Sequence, residues 1–85
     1  MASKIVPVVG NDWTELSAKE KGCFENQTSS TLLYWVAETK PDASFKEGHN
    51  LRQLKSVGFQ VNTSELMKVW GRTLSSGGDV VVTEY

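Results

Sequence analysis

One histidine, one cysteine and ten carboxylates are the side chains of this 85-residue chain that could carry acid–base, nucleophilic or metal chemistry. His49 stands between Gly48 and Asn50, with no second histidine and no neighbouring cysteine to complete a transition-metal set, and reads as a loop residue that hydrogen-bonds locally. Cys23 lies beside Phe24 in an apolar strand pattern with Lys21 close by. A thiol so placed is a small buried hydrophobe, and only an approach of His49 in the fold would make it a nucleophile. Carboxylate pairs for glycoside hydrolysis can be drawn from Asp12, Glu15, Glu25, Glu38, Glu47 and Glu84, but any set of ten acids supplies pairs and none of these has a distinctive setting. Gly77-Gly78-Asp79 precedes a strand pattern where a phosphate cradle would precede a helix, so it reads as a hairpin turn. Asn26-Gln27-Thr28 and Asn62-Thr63-Ser64 have the form of glycosylation acceptors; without a secretory signal they signify turn chemistry. The expectation is a protein that is not an enzyme, with no catalytic residue, metal ligand or cofactor.

The aromatic residues offer a different chemistry, that of recognition. Trp13, Trp35, Trp70, Tyr34 and Tyr85 can serve as core residues, as a sugar-stacking platform or as interface anchors, where one buried ring carries about 2 kcal/mol or more on truncation. Trp70 shares its strand face with Lys68 and Arg72, which makes it the leading interface position, with a stacked guanidinium. Tyr34, opposite in sense to Trp35, comes second. Asn26, Gln27 and Asn62 supply amides that a sugar platform would want, but their spacing decides nothing.

The elements that must hold these residues are strands. The run 31–38, Thr-Leu-Leu-Tyr-Trp-Val-Ala-Glu, points Leu33, Trp35 and Ala37 one way and Leu32, Tyr34 and Val36 the other, so both of its faces are apolar. Either two sheets sandwich it or one face meets another chain. Short apolar runs separated by turn signals every eight to twelve or so residues continue along the sequence. Residues 5–9 form a first strand or an extended arm, with Pro7 demoting it to an edge. Residues 13–16 read as a short strand, although Asp12 and Glu15 resemble a capping box. Further strand patterns lie at 22–26, 51–54, 59–62, 66–73 and 80–85, with a one-turn helix over 64–67 as an alternative and 80–85 the richest in β-branched residues.

Nine basic and ten acidic residues leave a net charge of -1, which gives nucleic acid no electrostatic footprint. The N-terminal segment has neither the apolar length of a membrane span nor a leader-peptide pattern. One domain is expected: an all-β, small antiparallel sandwich or partly open barrel of about six to eight strands over residues 11–85, preceded by an extended arm at 1–10. A lone cysteine forms no intrachain bridge, so packing, or packing plus assembly, must hold the fold.

The order Trp13-Thr14-Glu15, Phe24-Glu25-Asn26-Gln27-Thr28-Ser29 leading to Leu33-Tyr34-Trp35, Lys40-Pro41, Gly48-His49-Asn50-Leu51, Val69-Trp70-Gly71-Arg72-Thr73 and Gly78-Asp79-Val80-Val81-Val82-Thr83-Glu84 resembles small virion proteins of tailed bacteriophages. The resemblance implies an all-β capsid decoration, head-fibre or tail-associated protein, oligomeric and without catalytic residues to carry over. On it rests the expectation of a homotrimer docked on the outer capsid surface, against the major capsid protein or a neighbouring virion protein. Synthesis would be in the host cytoplasm, and neither nucleic acid nor membrane would be a partner. The alternative is a carbohydrate- or receptor-binding or adaptor module of a tail or fibre. Tyr34, Trp70, Arg72, Val81 and Tyr85 are the expected oligomer interface. Ile5, Val6, Val8 and Val9 of the arm, with Arg52, are the expected docking residues, since an extended apolar segment can add to a foreign sheet edge.

Overall fold

Alternating apolar positions resolve into eight strands in the computed structural model, which describes residues 2–85. β1 (Ala2–Val8), β8 (Gly78–Glu84), β3 (Lys21–Asn26) and β6 (Ser56–Gln60) lie in that order in one four-stranded antiparallel sheet. β2 (Thr14–Ser17), β7 (Lys68–Thr73), β4 (Leu32–Ala37) and β5 (His49–Leu51) form the second. The two inner faces meet through Val6, Val8, Phe24, Val80 and Val82 from the first sheet and Leu16, Leu32, Leu51 and Val69 from the second. The expected all-β antiparallel sandwich is the observed one.

The N-terminal segment is not a free arm. β1 pairs with β8 along its whole length, from Ala2 opposite Glu84 to Val8 opposite Gly78. Pro7 is tolerated because β1 is an edge strand, where one side of the backbone needs no partner. The period of two sends Val6 and Val8 into the core and leaves Ile5 outside.

Other boundaries move for local reasons. The strand expected at 51–54 lies at His49–Leu51, because Leu54 takes a left-handed conformation (φ 62°) in a turn closed by Lys55 N–H donating to Arg52 O. The strand expected at 59–62 is β6, three residues earlier, since Asn62 caps a 3-10 turn at Thr63–Glu65. The strand expected at 13–16 is β2, one residue later, and not a helix, with a bulge between Glu15 and Ser17.

Asn26, fully buried at the end of β3, ties three segments together. Its Nδ2 donates to Ser30 O and Leu51 O, both at 2.8 Å, while its Oδ1 accepts from Thr28 N–H at 2.9 Å and Thr28 Oγ1 at 2.7 Å. Asn26 and Thr28 form a buried structural knot, with Gln27 between them turned to the surface.

Candidate functional site

The second face of β4 is covered in large part by this chain's own side chains. Trp13, Leu33 and Trp70 form a second cluster on the outer side of the β2–β7–β4–β5 sheet, and Ala37 and Phe45 pack against it. Phe45 comes from the loop between β4 and β5. Its ring lies 5.9 Å from that of Trp13 and 5.1 Å from that of Trp35. Its carbonyl accepts from Trp13 Nε1 at 2.9 Å and from Arg72 Nη1 at 3.2 Å.

Arg72 is the pin of this arrangement. It is 3% exposed; Nη1 also donates to Ala43 O at 2.7 Å, Nη2 donates to Gly10 O at 2.7 Å, and the guanidinium sits 5.6 Å over the Trp13 ring. The loop is pre-shaped for this: Asp42 Oδ1 accepts from Ser44 N–H and Oγ, and Phe45 N–H donates to Asp42 O. Gly48 lets the loop return close to β4: its φ is +155° and a Cβ there would lie 2.9 Å from Tyr34 O.

Several expected interface residues are therefore committed inside the chain. Trp70 is buried and donates from Nε1 to Ala37 O at 3.1 Å, and Arg72 stacks on Trp13, not on Trp70. Tyr34 points to the sandwich interior, edge-on to Phe24 at 5.1 Å. Of the expected docking residues, Val6 and Val8 are core, whereas Ile5, Val9 and Arg52 are exposed.

What stays open is the outer face of the β1–β8–β3–β6 sheet. Ile5 (67% exposed) stands opposite Val81, and Cys23 opposite Thr83. Tyr85, 58% exposed, follows on the same face, where the Cys23 thiol raises its hydroxyl pKa above the ordinary 10.0. Cys23 is half-buried on this outer face instead of in the core. His49, on the other sheet, lies with its ring 5.1 Å from Tyr34 and 6.1 Å from Trp35, so it packs on aromatics where a loop hydrogen bond was expected, and the two nucleophile–base candidates are not brought together.

Two carboxylates are held by contacts with neighbouring side chains. Asp12 is held below its ordinary pKa by Lys40, 2.6 Å away, and by the Trp13 amide. Glu84 is lowered first by Ser17 Oγ, which donates to it at 2.6 Å, and then by Lys4 at 3.3 Å. Among the described residues no three His, Cys, Asp or Glu side chains converge as a metal site, and no helix is long and apolar enough to cross a membrane. Sequence reasoning missed Phe45, whose signal was a lone aromatic within a polar stretch of loop. Compared with protein-family models, curated proteins and solved structures, the chain matches none.

Proposed function

We propose that this chain is a non-catalytic structural protein of a tailed-phage virion, a small β-sandwich that assembles as a trimer and docks on the outer capsid surface. The observation that carries the proposal is the uncovered face of the first sheet, where Ile5, Val81 and Tyr85 offer apolar surface on a rigid four-stranded frame. A standard interface removes about 800 Å² per partner, roughly a sixth of the 4982 Å² accessible on this chain. An apolar centre of Ile5, Val81 and Tyr85, rimmed by Ser3, Glu25 and Gln60, has the composition such a patch needs. Val9 and Arg52 remain for docking against the major capsid protein or a neighbouring virion protein, Arg52 through pairing with carboxylates.

Sedimentation of the purified protein, then co-sedimentation with undecorated capsids, tests the proposal. The expected result is a trimer that pellets with capsids, with Ile5→Glu dissociating the trimer while the fold persists. A monomer that stays in the supernatant at micromolar concentration rejects it. One observation favours a second reading, a carbohydrate- or receptor-binding module of a tail or fibre: Trp35 is 36% exposed beside the stacked His49 ring. A glycan array distinguishes the two.

A further inference from the structure

We infer that the depression between the turn after β1 and the β4–β5 loop is a binding site for a carboxylate. Its walls are Gly10, Asn11, Ala43, Ser44, Lys46 and Arg72, and beside it lies a cavity of 70 Å³ that shares Gly10, Lys46 and Arg72 and is closed by Leu33, Leu74 and Thr73. A single water needs about 10–15 Å³ of such space, so the cavity admits a larger polar group.

The charge in this place is positive and buried. A guanidinium has five N–H groups; three of those on Arg72 are donated to the carbonyls of Ala43, Phe45 and Gly10, which leaves Nε–H and the second Nη2–H with no acceptor among the described residues. Those carbonyls are neutral acceptors. Among the described residues no carboxylate lies within ion-pair distance of Arg72, and the neighbouring Asp12 is engaged by Lys40. Lys46, exposed on the rim, has no ion pair among the described residues either.

Thr73, next along β7, turns to the core-facing side opposite Leu32, so the donors of this site are those of Arg72 and Lys46. Gly10 lets the turn after β1 come down beside Arg72, because a Cβ there would collide with Ser75 O. A carboxylate presents two acceptor oxygens, which suits two free guanidinium N–H groups and a lysine at the mouth. A free small carboxylate and the acidic side chain of a partner protein share this chemistry.

Amide and Arg Nε–H NMR titrations at constant ionic strength test the site, with sodium acetate in one arm and the peptide N-acetyl-Gly-Glu-Gly-amide in the other, sodium chloride serving as control. The expected result is saturable shifts at Arg72 Nε–H, Gly10 and Asn11 with a midpoint on the order of 10 mM. Lys46→Ala, on an exposed side chain, weakens binding by about fivefold, and Lys46→Arg restores it. Tighter binding of the peptide assigns the site to a protein's acidic side chain; equal binding assigns it to small carboxylates. Shifts that are linear in both arms, reproduced by chloride, or undiminished in Lys46→Ala overturn the inference.

Discussion

Replacing Arg72 by methionine keeps much of the aliphatic stem and removes the guanidinium that holds the β4–β5 loop down. Three charge-assisted hydrogen bonds disappear, those to Ala43 O, Phe45 O and Gly10 O, together with the cation–π contact to Trp13. Each such bond contributes about 1.5–3 kcal/mol in isolation. They share one side chain, and the freed carbonyls of a surface loop can turn to water, so their contributions do not add. With about 0.5–1 kcal/mol for the cation–π contact, the net loss works out at about 3–4 kcal/mol. At about 0.05–0.15 kcal/mol per residue, an 85-residue chain holds about 4–13 kcal/mol in all. The substitution therefore removes a large share of the stability of the fold. Urea unfolding followed by tryptophan fluorescence reads both consequences, because two of the three tryptophans, Trp13 and Trp70, lie under the loop. The expected outcome is a lower midpoint and a red-shifted native emission as these rings meet water. A variant with wild-type emission and a stability within about 0.5 kcal/mol of wild type would refute the pinning role.

Two further substitutions probe the opposite ends of the sandwich. Asn26→Asp sets a buried carboxylate against Ser30 O and Leu51 O in place of two donors, and is expected to cost about 3 kcal/mol or more in urea unfolding at neutral pH; a loss under 1 kcal/mol would contradict the account of the knot. Glu84→Gln tests the acid limit: because Ser17 and Lys4 depress the folded-state pKa of Glu84 below its ordinary 4.5, the charged form contributes stability above that value and loses it as pH falls through the folded pKa. The variant should lie about 1 kcal/mol below wild type at pH 7, with the gap closing under acid conditions.

Strand content and strand facing were legible because period-two patterns are local: both faces of β4 and the split of β7 into Val69 and Gly71 against Trp70 and Arg72 follow from residue order alone. The cover over the second face was not. A strand with two apolar faces signals only that something lies on each, and here one cover is a polar loop anchored by Phe45 and by two carbonyls that accept from Arg72, none of which has a periodic signature. The pairing of β1 was hidden for a related reason. Pro7 marks an edge, and an edge strand and a free arm share the same sequence until Val6 and Val8 find an inner face to occupy. The positively charged depression was invisible because Gly10, Lys46 and Arg72 are distant in sequence.

The position of β8 between β1 and β3 has a kinetic consequence. The first sheet cannot be completed until β8, one of its two inner strands, joins β1 to the β3–β6 pair, and to meet β1 it must close a loop of nearly the whole chain. Such closure is entropically unfavourable before it is rewarded, so the refolding time constant should fall in the millisecond-to-second range of sandwiches with distant pairings. Until then the apolar edges of β1 and β3 stand bare, and aggregation competes with folding when the chain is concentrated.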